Sequence, residues 1–128
     1  LAACCPLAIA SGAIRPEIER VLEREGLATY FRTIVAAGET PVSKPAPDPY
    51  ARAVTLLSSA LGSTLEPREC VAIEDSRWGL ESARAAGLRT IAVAHTYPPE
   101  ALDADAVVAD LRALTWEFVR SVRLRRDE

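Results

Sequence analysis

Residues 70–88, CVAIEDSRWGLESARAAGL, join an apolar run, a polar turn and an amphipathic run. The apolar run ends in two adjacent carboxylates, Glu74 and Asp75, and the amphipathic run ends at Gly87. A short, unbroken apolar run bounded by polar residues is typical of a strand that is buried on both faces. The segment therefore predicts a parallel-sheet strand that leads directly into a helix, with two carboxylates at the turn.

The same alternation of short apolar runs and longer amphipathic runs extends through the whole chain. The predicted strands are 7–10, 33–37, 70–75, 90–94 and 106–109, and the predicted helices are 16–25, 50–61, 79–86 and 111–124. Strands that alternate with helices form parallel sheets covered by helices. We therefore expect an α/β fold, a Rossmann-like parallel sheet with helices on both faces.

The composition is that of an ordinary globular domain. The chain has 128 residues, of which 49% are hydrophobic and 26% are charged. No apolar run approaches the roughly 20 residues of a membrane helix, so we expect no membrane partner. The net charge of −3 gives no electrostatic reason to expect nucleic acid.

Three cysteines, Cys4, Cys5 and Cys70, have neither a disulfide nor a zinc spacing. We expect them to be small buried residues in a reducing compartment, the cytoplasm.

Ser11 directly follows the first predicted strand, and Gly12 and Ala13 follow it. In open α/β sheets, ligands bind beyond the carboxyl ends of the strands. A hydroxyl with free backbone N–H groups behind it suits a phosphate oxygen. The alternative is a simple turn between strand and helix.

The carboxylates of Glu74 and Asp75 stand at the same edge. Carboxylates after an apolar strand are costly to bury unless they meet a cation or cap a helix. Asp75 or Ser76 is a candidate N-cap of the next helix, but a cap accounts for only one carboxylate. Mg²⁺ is commonly held by a few carboxylate oxygens together with water and phosphate, so the pair is a candidate metal site.

Lys44 is the only lysine among 15 basic residues. It lies in a loop whose prolines, at 45, 47 and 49, exclude a helix or a central strand. A lysine is a compact point charge that arginine does not duplicate, which favours a positional role over a solvated loop residue. A hydroxyl, an ammonium and two carboxylates at one sheet edge are the parts that phosphoryl transfer needs.

Three stretches carry a resemblance to a known family: AIASGA at 9–14, SKPAPDPY at 43–50, and residues 70–88. The sequence resembles the haloacid dehalogenase-like hydrolases, of the β-phosphoglucomutase and phosphoglycolate phosphatase type. The order of the motifs also matches, and so do their spacings: 33 positions from Ser11 to Lys44 and 31 from Lys44 to Asp75. The resemblance covers nearly the whole chain.

The resemblance implies a role for each phosphate-binding position. Ser11 would hydrogen-bond the transferring phosphoryl group, helped by the backbone of Gly12 and Ala13. Lys44 would bridge that phosphoryl group and the nucleophile.

The resemblance also implies a metal site. Asp75 and Glu74 would hold Mg²⁺. Ser76 would support the metal loop, and Gly79 would allow the tight entry to the next helix.

The sequence departs from the family at the nucleophile. Family members use an aspartate of an N-terminal D-x-D-G-T/S motif, which this chain does not contain. Its one D-x-D, Asp103 to Asp105, precedes a predicted strand and has no Gly-Thr after it, so we interpret it as a loop. The cap domain of this type is also absent, and we expect residues 1–128 to be a partial core domain.

The missing motif lies on the central strand in the family, between the strands that carry Ser11 and Glu74. Without that strand, two backbone edges stay unpaired. We therefore expect either a missing N-terminal segment or self-association to complete the sheet.

Two hypotheses about function stay open. The first is part of a Mg²⁺-dependent phosphatase or phosphomutase that acts on a small phosphorylated metabolite through an aspartyl-phosphate. Its nucleophile would lie outside this chain, which alone would be inactive. The second is a non-catalytic remnant or regulatory binding module that keeps the phosphate and Mg²⁺ site without turnover. A nucleotide-binding Rossmann unit is disfavoured because no G-x-G-x-x-G occurs.

Overall fold

The computed structural model describes residues 1–125 and confirms the α/β alternation. The strands are β1 (Ala8–Ala10), β2 (Thr33–Val35), β3 (Val71–Glu74), β4 (Arg89–Val93) and β5 (Ala106–Val108). The helices are α1 (Arg15–Arg24), α2 (Asp48–Leu61), α3 (Arg77–Ala85) and α4 (Trp116–Arg123). Among these described elements, no helix combines the length and the apolar character that a bilayer crossing requires.

The strands form two parallel sheets with a gap between them. One sheet has the order β1–β2 and the other β3–β4–β5, and within residues 1–125 no strand pairs with the second edge of β1 or of β3. The central strand β4 is buried from Thr90 to Val93, whereas β1 and most of β3 are only half-buried. Strands of parallel sheets are usually covered on both faces, so β1 and β3 are covered less completely than β4.

Helix α2 packs across the gap. Its Tyr50 and Val54 form a buried cluster with Ala72 of β3 and with Ala83 of α3, and Ala10 of β1 packs against the same cluster. A proline lies in the first turn of α2, where a helix tolerates it because the missing N–H would have no partner there. The helix ends before Gly62, which adopts the left-handed conformation at φ 67°. The helix therefore packs against both sheets, and among the described residues no backbone hydrogen bond joins one sheet to the other.

Helix α4 begins five residues later than the sequence predicts. Residues 111–113 form a separate 3₁₀ turn in which Asp110 accepts a hydrogen bond from the backbone N–H of Arg112. Thr115 then caps α4 by accepting from the N–H of Phe118. Each side-chain cap satisfies the free donors of its own turn, so two short elements replace one long helix.

The prediction that all three cysteines are buried is wrong. All three are free thiols, with Cys4 exposed and Cys5 and Cys70 half-buried. Cys4 and Cys5 lie in a turn closed on the carbonyl of Leu1, ahead of β1 and outside the core.

The outer edge of β2 is covered by two side chains. Arg15 donates from Nη2 to the carbonyl of Ile34 at 2.9 Å, and Glu39 accepts from the N–H of Ala36 at 3.0 Å. The two side chains also bind each other, with 2.7 Å between Nε and Oε2. They occupy the backbone groups that another strand would use, which protects an edge from unwanted pairing. The Arg15 guanidinium and the Ala36 N–H together lower the pKa of Glu39 to about 2.

Replacing Arg15 by alanine is expected to return the pKa of Glu39 towards the ordinary value of about 4.3. Because the folded-state pKa is depressed, the pair stabilises the edge above about pH 4.3 and loses this effect as the pH falls towards 2. Carboxyl-detected NMR titration measures the change. Arg20→Ala on the same helix is the control, and a wild-type Glu39 that titrates near 4.3 would contradict the cap.

Candidate active site

The loops after β1 and β2 and the end of β3 meet at Lys44. Its Nζ donates to the carbonyl of Ala10 at 3.0 Å and lies 2.5 Å from Oε1 of Glu74. Ala10 is the last residue of β1, directly before Ser11, and Glu74 is the last residue of β3. The structure thus brings Lys44 and Glu74 into direct contact and places Lys44 against the end of β1, directly before Ser11.

The Lys44 loop is fixed on both of its sides. The carbonyl of Ala46 accepts from the hydroxyl of Ser82, a fully buried residue of α3, at 2.6 Å. The Lys44 side chain is 19% exposed and the Glu74 side chain 9%. Lys44 is therefore a largely buried, ion-paired residue and not a solvated loop lysine.

Tyr50 is a member of the site that the sequence analysis did not identify. Its hydroxyl donates to Oε1 of Glu74 at 2.6 Å, and its ring centre lies 5.1 Å from Nζ of Lys44. Burial above all, and then the negative charge of Glu74, raises the pKa of Tyr50 far above its usual range. The sequence gives one indication of this role, because Tyr50 is the last residue of the motif SKPAPDPY. An aromatic residue in the first turn of a helix, however, more often indicates packing in the hydrophobic core.

Glu74 and Asp75 have different partners. Ser76 is the N-cap of α3 and accepts from the N–H of Gly79 at 3.1 Å, so neither carboxylate serves as that cap. Asp75 is exposed, and its Oδ2 lies 3.4 Å from the hydroxyl of Thr96, in the loop after β4. Glu74 faces the protein through Lys44, whereas Asp75 faces solvent.

The donor set at the end of β3 suits Mg²⁺ as a partial site. Mg²⁺ is usually held by one or two carboxylates together with waters and substrate phosphate. Glu74 uses Oε1 for Lys44 and Tyr50, which leaves its Oε2 and the carboxylate of Asp75. In the described part of the chain, no three His, Cys, Asp or Glu side chains form a group able to hold a metal ion, so further oxygen donors are required.

The Ser11 loop differs in one respect from its predicted use. The Ser11 hydroxyl accepts from the N–H of Ala13 at 3.1 Å, so that N–H is used within the loop. The N–H of Gly12 has no acceptor within residues 1–125. Space beside Gly12 is open, with no atom within 4 Å of an added Cβ. The group available to a ligand is thus the Gly12 N–H, beside the Ser11 hydroxyl.

The D-x-D at Asp103 to Asp105 is structural. Asp103 binds Arg84 at 2.6 Å, and Asp105 accepts from the N–H of the buried Thr90 at 2.8 Å. These contacts anchor the loop before β5 and do not involve Lys44.

The fold agrees with comparisons to known proteins. A family model described as haloacid dehalogenase-like hydrolase matches residues 2–87, which include Ser11, Lys44, Glu74 and Asp75. The chain belongs to this hydrolase family.

Among similar proteins, fructose-1-phosphate phosphatase YqaB of Escherichia coli is 36% identical over 88 residues, 69% of this chain and 44% of its own length. Protein CbbY of Rhodobacter capsulatus is 39% identical over 94 residues, 71% of this chain and 39% of its own. The crystal structure of CbbY from Rhodobacter sphaeroides in complex with phosphate superimposes with a TM-score of 0.71 at 31% identity, over 83% of this chain and 47% of that one. The matched stretches thus span less than half of these relatives.

Gly79 is required by the packing of Glu74. A Cβ at this position would lie 2.1 Å from the Glu74 carboxyl carbon and 2.2–2.4 Å from its oxygens. Gly79→Ala is therefore expected to displace the carboxylate from Lys44 and Tyr50, and to lower the free energy of unfolding by about 1–3 kcal/mol despite the better helix propensity of alanine. Urea unfolding measures the loss. Gly12→Ala, where the added methyl meets open space, is the stability control, and equal stability of the two variants would contradict the contact.

Proposed function

We propose that this chain is part of a Mg²⁺-dependent phosphatase or phosphomutase that acts on a small phosphorylated metabolite through an aspartyl-phosphate. The main observation in support is the position of Lys44, whose ammonium binds both the carbonyl of Ala10, next to Ser11, and the carboxylate of Glu74. Family membership supports the proposal, as do the fructose-1-phosphate phosphatase relative and the CbbY structure with phosphate.

The phosphoryl group would bind at the Ser11 loop and Lys44. The Ser11 hydroxyl and the Gly12 N–H are donors for its oxygens, while Ala13 holds the serine in place through its own N–H. Lys44 adds a positive charge whose position is set before the substrate arrives. A donor fixed in advance needs no reorganisation as charge develops, which is the main source of electrostatic catalysis.

Mg²⁺ would be held by Asp75 and by Oε2 of Glu74, next to the phosphoryl group. When bound, the ion would neutralise charge on the phosphoryl oxygens. Ser76 supports this loop by capping α3, and Gly79 supports it by leaving room for the Glu74 carboxylate.

The nucleophilic aspartate would enter on a strand between β1 and β3. Both strands have one edge without a strand partner in residues 1–125, and Lys44 lies at their shared carboxyl end. An N-terminal segment of a longer chain would place a carboxylate there, and a second copy of the chain is the other way to fill the edges.

Phosphate release from sugar phosphates in the presence of Mg²⁺ tests the proposal. Residues 1–128 alone are expected to be inactive, and a full-length protein with an upstream D-x-D is expected to release phosphate and to lose all turnover when the first aspartate becomes asparagine. Turnover by residues 1–128 alone would contradict an external nucleophile. A full-length protein that binds phosphate and Mg²⁺ without turnover would favour the regulatory binding module.

Lys44→Ala in the full-length protein is expected to lower kcat by about 10²–10³-fold, because it removes a fixed donor to the phosphoryl group. Lys44→Arg is not expected to restore the rate, since a planar guanidinium does not replace a compact ammonium. Steady-state kinetics at saturating Mg²⁺ measure both. Arg68→Ala, an exposed residue before β3, is the control, and wild-type activity in Lys44→Ala would remove the proposed role.

A further inference from the structure

Tyr50 contacts both members of the central ion pair. Its hydroxyl donates to Glu74 at 2.6 Å, while its ring lies 5.1 Å from the Lys44 ammonium. The residue is 8% exposed, and a buried tyrosine hydroxyl needs a hydrogen-bond partner. Tyr50 thus joins the helix that spans the gap to the two charged groups at the sheet edge.

The two oxygens of the Glu74 carboxylate differ in their hydrogen bonds. Oε1 accepts from both Lys44 and Tyr50, and within residues 1–125 Oε2 accepts from no donor. Gly79 adds a steric limit, because the carboxylate occupies the space where any larger residue would place its Cβ. Two donors on one oxygen and a wall beside it leave the carboxylate little freedom to rotate.

We propose that Tyr50 is a positioning residue of the metal site: it holds Oε1 of Glu74 on the Lys44 side and keeps Oε2 for the cation. This inference rests on the proposed function only in taking Mg²⁺ as the cation. Tyr50 has no contact with the phosphoryl group in this account and acts through Glu74. A carboxylate that is already oriented loses less conformational freedom when it binds a metal ion, which raises affinity.

Tyr50→Phe tests the role because it removes the hydroxyl and keeps the ring. We expect the apparent Kd of the full-length protein for Mg²⁺ to rise about tenfold, equivalent to about 1.4 kcal/mol. We expect kcat at saturating Mg²⁺ to change by less than about threefold, since the Lys44 donor remains. We expect tryptophan fluorescence to report Mg²⁺ binding independently of turnover, because the exposed Trp78 lies three residues after Asp75.

Tyr30→Phe is the matched control, because Tyr30 is 52% exposed and lies in a 3₁₀ turn before β2. Measuring the Mg²⁺ affinity and kcat also for Glu74→Gln and for the double variant Tyr50→Phe/Glu74→Gln completes a double-mutant cycle. If Tyr50 acts through Glu74, Tyr50→Phe changes Mg²⁺ affinity less than about twofold once Glu74 is glutamine.

An unchanged Mg²⁺ affinity in Tyr50→Phe would overturn the inference and leave Tyr50 as a packing residue, and so would an equal effect in the Glu74→Gln background. A wild-type protein that binds no Mg²⁺ would overturn it as well. A wild-type protein that binds Mg²⁺ but releases no phosphate would contradict the proposed function only, because the fluorescence titration still measures the effect of Tyr50.

Discussion

The ion pair between Lys44 and Glu74 is the contact on which the rest of the structure depends. It joins a loop after β2 to the end of β3, and a second bond from the same ammonium reaches the end of β1. Bringing two charges into a largely buried place is costly, and the cost is offset only when both are well paired and hydrogen-bonded. The Ala10 carbonyl and the Tyr50 hydroxyl provide those additional bonds. The pair therefore holds together the carboxyl ends of two sheets that share no backbone pairing in the described part of the chain.

The sheet edges differ in whether side chains cover their backbone groups. On the outer edge of β2, Arg15 and Glu39 occupy the backbone groups that a further strand would use. Within residues 1–125 no strand covers the inner edges of β1 and β3, and the apolar side chains of Ile9 and Ile73 there stay half-buried. Uncovered edges with apolar side chains favour pairing with another strand. The described residues thus protect the outer edge of β2 with side chains and leave the inner edges of β1 and β3 without a strand partner.

The strands and helices are largely predictable from the sequence, because the buried face of each element requires apolar residues at a regular spacing. The strands appear as short apolar runs and the helices as amphipathic runs. Ser11 and Glu74 stand out because polar residues at strand ends are costly to bury without a partner, and Lys44 stands out as the only lysine. Contacts between distant side chains are not visible in this way. The sequence pattern of α2 predicts that the ring of Tyr50 packs in the core. Its hydroxyl can donate to Glu74, 24 positions away, only because α2 lies across the gap. Local caps at Asp110 and Thr115 likewise override the amphipathic pattern before α4.

Gly79 has a steric role that the sequence does not reveal. The resemblance assigns it to a tight helix entry, and in the structure the Glu74 carboxylate also fills the space beside it. Glu74 is the last residue of β3 and Asp75 the first residue after it, and their side chains have different partners. Glu74 turns towards Lys44 and the protein, and Asp75 stays exposed beside Thr96. The two adjacent carboxylates thus differ in their surroundings: Glu74 pairs through Oε1 with the largely buried lysine, whereas Asp75 stays exposed at the end of the strand.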